Sequence, residues 1–79
     1  MLGVYRYVGI GSQSIWVAVK DSFSSTCQRD YIHPGETFIL LEVHDHVSTV
    51  ITARGVRGLF YADPRNVTWC RLITEGFER

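Results

Sequence analysis

Little in this chain is available to staple it, to draw it to a polyanion or to carry it across a membrane. Of 79 residues only two are cysteines, Cys27 and Cys70. They are too few for the disulfide framework of small secreted scaffolds and lack CxxC spacing, so two reduced thiols are expected. Lysine occurs once, and eight basic residues face eight acidic ones for a formal net charge of zero. The broad positive field on which non-specific nucleic-acid binding draws is therefore missing. No run approaches the roughly 18 uncharged apolar residues of a membrane-spanning helix. The opening MLGVYRYVGIG has neither a basic leader nor an unbroken apolar core, because Arg6 divides it. A soluble, cytoplasmic protein with no membrane partner is expected. Linkers, low-complexity blocks and internal repeats are missing too, which predicts a single domain over residues 1–79. Finally, no eleven-residue window carries helical periodicity with caps at both ends.

What is present is apolar, aromatic and patterned with period two. Hydrophobic residues make up 46% of the chain and aromatics 13%, enough to fold without a staple and too many for disorder. Val4, Val8 and Ile10 share one parity around Arg6, and Ile15, Val17 and Val19 share one in IWVAVK, which is strand spacing. Thr37 to Val43 is dense in β-branched and aromatic residues. It follows His33-Pro34-Gly35-Glu36, where proline fixes φ and glycine permits a positive φ. VSTVITA, Val47 to Ala53, reads as another strand, Arg54-Gly55 as a turn, and Gly58 opens LFYA. Five or six short antiparallel strands are predicted, an all-β fold that hides its sheet edges by curling into a small barrel. Residues 1–14 are expected to add an N-terminal strand, with Val4 and Val8 toward the core. Tyr5 and Tyr7 would then point outward, either as partner-binding residues or equally packed under the C-terminal ITEGFER, whose Phe77 needs cover.

The loop rhythm is the most specific feature. About fifteen polar residues, SFSSTCQRDYIHPGE, separate the IWVAVKD and TFILLEV strands, whereas the later connections at His44-Asp45-His46 and Arg54-Gly55-Val56-Arg57 are short. Gly35-Glu36 ahead of Phe38 and Leu40, Gly58 ahead of Leu59 and Phe60, and Asp63-Pro64-Arg65-Asn66 complete the series. From Ile15 to Ile73 this order resembles the SH3 family: opening strand, RT loop, apolar strand, n-Src loop, distal hairpin, and a proline-led 3₁₀ turn near Asp63–Asn66. The resemblance implies an SH3-like barrel but not recognition of proline-rich peptides. Val47-Ser48 stand where the groove tryptophans would, Val67 stands where the turn tyrosine would, and the long loop offers only Asp21 and Asp30 as acids.

Charge placement supplies the candidate surface. Residues 1–50 carry three basic against five acidic residues; residues 51–79 carry five against three, and every basic residue there is arginine. The planar guanidinium suits bidentate recognition and stacking. Convergence of Arg54, Arg57 and Arg65 around Tyr61 would make a partner-binding patch. His44 and His46 are weak metal candidates, because a lone His-x-His without a second ligand pair is more often a solvated hairpin tip. No cofactor is implied. Asn66-Val67-Thr68 matches a glycosylation pattern, read as chance in the absence of a secretion signal. Cys27 near His33 is the only conceivable nucleophile, and nothing else assembles a catalytic group, so an enzyme is not expected. The reading is a protein-interaction module, a small regulator or inhibitor of the phage-encoded kind that docks on a larger protein through loop and edge-strand surfaces. The alternative is a Tudor- or KOW-like nucleic-acid-binding barrel using the arginine and aromatic face.

Overall fold

The computed structural model describes residues 2–19 and 28–75. Cys27, Asp21 and the C-terminal Phe77 lie outside the described residues. Seven strands occur in the order β1 (Gly3–Tyr7), β2 (Ile15–Val19), β3 (Arg29–Ile32), β4 (Thr37–His44), β5 (Val47–Ile51), β6 (Arg57–Phe60) and β7 (Cys70–Glu75). All pair antiparallel in one sheet of spatial order β3-β2-β6-β5-β4-β1-β7. No helix occurs among the described residues, and hence none long and apolar enough to cross a membrane.

The all-β class stands, but the sheet is open rather than closed into a cylinder, and it has seven strands rather than five or six. The extra strand is β3, from the stretch read as loop. RDYI has no apolar alternation of its own, and its strand state comes from pairing along β2, Ile15 opposite Ile32 and Val17 opposite Asp30. The sheet nevertheless curls strongly. Asp30 on β3 accepts a 2.8 Å hydrogen bond from Thr52 just past β5, although β2 and β6 lie between those strands in the sheet.

β1 departs most from expectation. It is not an added edge strand, because it sits between β4 and β7. Its faces are also reversed: Tyr5 and Tyr7 are buried, Tyr7 completely, while Val8 is exposed. A small curled sheet has a wide interior and few side chains to fill it, so the larger rings go inside. The buried Tyr7 hydroxyl is satisfied in both roles, donating to the Gln13 carbonyl at 2.6 Å and accepting the Ile10 N–H at 3.0 Å. Tyr5 stacks on Phe38 with ring centroids 6.1 Å apart, and Trp69 meets Tyr7 and Phe60 edge-on at 5.8 and 5.6 Å. Val17, Ile32, Leu40 and Val50 complete the core.

The turns follow their residues. Gly35 takes φ 90° and the Glu36 N–H donates to the His33 carbonyl at 3.0 Å, a type II turn with proline second and glycine third. His44 pairs with Val47, leaving Asp45 and His46 as a two-residue hairpin loop, both at positive φ (50° and 63°), as a type I′ turn requires. The Asp63–Asn66 segment is a single i→i+3 turn, closed by Asn66 N–H to Asp63 C=O at 2.9 Å, at the position expected for the short proline-led turn. Gly58 lets β6 cross close against β2: a Cβ there would lie 2.5 Å from the Ala18 carbonyl oxygen and would collide with Val17 Cγ1.

Candidate functional site

Alternation in β2 decides where the exposed aromatics stand. With Val17 inside, Trp16 points out, and Tyr31, its direct cross-strand partner on β3, shares that outer face. On β6 the inward side chain is Phe60, so Leu59 and Tyr61 flank it on the outside. Trp16 and Tyr61 meet at 5.5 Å between centroids, tilted by 55°. The guanidinium of Arg29 lies over the Trp16 ring at 4.7 Å, a cation–π contact. Trp16, Tyr31 and Tyr61 remain 40%, 46% and 57% exposed, a row of three large rings across one face. Beside it opens a cleft of about 310 Å³ lined by Ser14, Ile15, Trp16, Phe60 and Tyr61. Flat rings over a partly apolar cleft can bury an apolar or planar group, and Arg29 can meet an anionic one at the rim.

Of the expected arginine patch, Arg54 and Arg65 are engaged by carboxylates of the chain itself. Arg54 reaches the β3 edge, where it donates to Asp30 at 3.0 Å and Glu36 at 2.9 Å and also to the Tyr31 carbonyl. Burial pushes the Asp30 carboxyl up, but the hydrogen bonds from Thr52 and Arg54 outweigh it and hold the group below its ordinary value. Glu36 is lowered first by the His33 backbone N–H, then by Arg54. Arg65 is held by Asp63, its guanidinium 2.9 Å from a carboxylate oxygen. Asp63 is buried, and that hydrogen bond from Arg65 is the main reason its carboxyl lies below the usual range. Arg57 stands on the outer face of β6 opposite Ile51, and among the described residues no carboxylate pairs with it. Of the residues expected to bind a partner, Tyr61 is in the aromatic row and Arg57 on its strand. Arg54 and Arg65 are structural, and Tyr5 and Tyr7 are core.

Trp16, Tyr31 and Arg29 are the site residues that sequence reasoning missed. A signal was present for Trp16, which occupies the polar parity of a strand whose apolar parity is Ile15, Val17 and Val19. His44 and His46 sit at the β4–β5 tip, where His44 lies 3.5 Å from Asp45 in open solvent. Among the described residues no three His, Cys, Asp or Glu side chains gather as a metal site. Cys70 is half-buried, and desolvation pushes its thiol up to about 12, which keeps it protonated and unreactive near neutral pH. Comparison with family models, with curated proteins and with solved structures finds no match to the chain.

Proposed function

We propose that the chain is a non-catalytic protein-interaction module of SH3-like architecture, a small regulator that docks on a larger protein through the outer face of β3, β2 and β6. The observation that carries this reading is the exposed row Tyr61–Trp16–Tyr31 with Arg29 stacked on its centre. Tyrosine, tryptophan and arginine are the residues that most often anchor protein interfaces, the rings because they bury large area while losing little side-chain freedom and arginine because its planar fork stacks and hydrogen-bonds together. The strand order supports the architecture. In the series β7-β1-β4-β5-β6, β1 rather than the Ile15–Val19 strand of the sequence resemblance takes the opening strand's place beside the last one, a three-strand meander follows, and β2 and β3 fall within the span of the long first loop.

The same rings beside Arg29 and Arg57, which no carboxylate pairs among the described residues, also support a nucleic-acid reading, in which bases stack on Trp16 and Tyr61. Affinity capture from host lysate, with and without nuclease, separates the two. On the interaction reading one protein is retained after nuclease, survives moderate salt, and is lost with the double variant Trp16→Ala/Tyr61→Ala. Binding that disappears with nuclease, or that falls steeply between low and moderate salt and with Arg57→Glu, assigns the face to nucleic acid instead.

A further inference from the structure

The outer edge of β7 is the second surface that stands out. By the alternation of an antiparallel ladder, the Val8 N–H to Trp69 carbonyl bond of 2.9 Å places the backbone groups of Arg71 toward β1. The N–H and C=O of the intervening Leu72 therefore face away from the sheet. Among the described residues no strand lies on that side, and Leu72 and Ile73 are 45% and 44% exposed. The edge also carries a charge conflict. Arg71 lies directly opposite Arg6 on β1, and among the described residues no carboxylate pairs with either. Like charges in directly opposed cross-strand positions repel, and a carboxylate delivered by a strand added beyond β7 would relieve them.

From this we infer that β7 accepts an extended segment of another protein as an eighth strand, with an Asp or Glu of that segment opposite Arg71. The inference rests on the interaction-module reading but concerns a surface separate from the aromatic row. A second copy of β7 does not supply the acid. Symmetric pairing about Ile73 would set Arg71 against Glu75. However, the register shift between Val4 and Tyr5 places Arg71 on the face of Arg6, and Glu75, opposite Gly3, on the face of Tyr5. The proposed occupant is therefore a different chain that carries the acid.

The test uses the full chain and two fluorescein-labelled peptides, Ser-Thr-Val-Glu-Val-Thr-Ser and its twin with Lys in place of Glu, followed by anisotropy at low salt. The Glu peptide is expected to bind at least ten-fold more tightly than the Lys peptide, and Arg71→Glu to invert that preference. Leu72→Pro deletes an outward N–H that β1 does not use and should abolish binding, while Leu72→Ala retains it within about three-fold. Methylating alternate backbone nitrogens of the Glu peptide should weaken binding equally, and this arm does not depend on any variant folding. Trp16→Ala should leave peptide binding unchanged, so the two surfaces fail separately. Equal affinity for both peptides, indifference to Arg71→Glu, loss with Trp16→Ala, or a dimer in sedimentation that Leu72→Pro dissolves would each overturn the assignment.

Discussion

The two ends of the sheet are finished differently. At β3 the outward-facing Tyr31 carbonyl is closed off within the chain: Arg54 donates to it while bridging Asp30 and Glu36. At β7 nothing comparable occurs among the described residues, and five consecutive residues are exposed. An open sheet presents two templates for unwanted pairing, and proteins blunt such edges with charged side chains and local caps. One edge is sealed within the chain and the other, among the described residues, is not, which is the asymmetry that the proposed strand addition at β7 uses. Arg54 was expected to contact a partner, but its three acceptors are all within the protein.

The largest disturbance to this asymmetry lies where the sealed half joins the rest. Among the described residues, β2 and β3 meet β6 through two register pairs, Ala18 with Leu59 and Val19 with Gly58. Because the obstruction at Gly58 includes the Ala18 carbonyl, rotating a side chain cannot relieve it. Gly58→Ala is expected to destabilise by about 3 kcal/mol or more, measured by chemical denaturation. Amide exchange should accelerate first in Trp16–Val19 and Asp30–Ile32, with β1 and β4 following only on global unfolding.

Removing the seal itself has a smaller effect. In Arg54→Met, Asp30 and Glu36 lose a shared cation and the Tyr31 carbonyl loses its donor. Because the pair is partly solvated, screening limits the loss, and a fall of a few degrees in melting temperature is expected. Concentration-dependent association through the newly bared β3 edge would accompany it in light scattering. A variant that stays monomeric and melts like the parent would show that Arg54 does not seal the edge.

How far such features can be read from the letters depends on the range of the interaction. Alternation within Ile15–Val19, the Pro34-Gly35 turn and the apolar run into β4 are local, and each appears where the sequence puts it. β1 was legible but misread: Arg6 shares a parity with Val4 and Val8, so that face could not be the core, and burying the tyrosines follows. β3 and the role of Arg54 were not legible. The strand depends on a partner more than ten positions earlier, and the arginine's carboxylates lie 24 and 18 residues away. Asp63 and Arg65, two residues apart, could have been paired by inspection. Trp16 was visible as an outlier in its own strand, but its meeting with Tyr61 needed the β2–β6 crossing.

Acid should weaken the sealed end in particular. Asp30, Glu36 and Asp63 all titrate below their ordinary values in the folded chain. Their contribution is therefore fully present above the unfolded pKa, about 4 for such groups, and is lost as pH falls through the lower folded values. Urea unfolding between pH 7 and pH 2 should show stability constant at the upper end and falling below about pH 4. In Arg54→Met the Asp30 and Glu36 carboxyls move back toward ordinary values, so the decline is shallower and the gap to the parent narrows with acid. A gap that stays constant down to pH 2 would detach the arginine from both carboxylates.

The smallest effect is expected at the β4–β5 hairpin, midway between the two edges and independent of both. Its two-residue turn needs positive φ at Asp45 and His46. Both residues carry a Cβ that makes positive φ costly, although aspartate and histidine adopt this region more often than most side chains. Asn-Gly is the preferred pair for a type I′ turn, so Asp45→Asn/His46→Gly should stabilise by about 1 kcal/mol, seen as a rise of roughly 4–8 °C in melting temperature. The variant removes one acid and leaves the rings, Arg71 and the Arg54 bridge untouched. Binding to either surface should therefore be the same as in the parent, and a gain in stability accompanied by a change in binding would place the hairpin tip in contact with a partner.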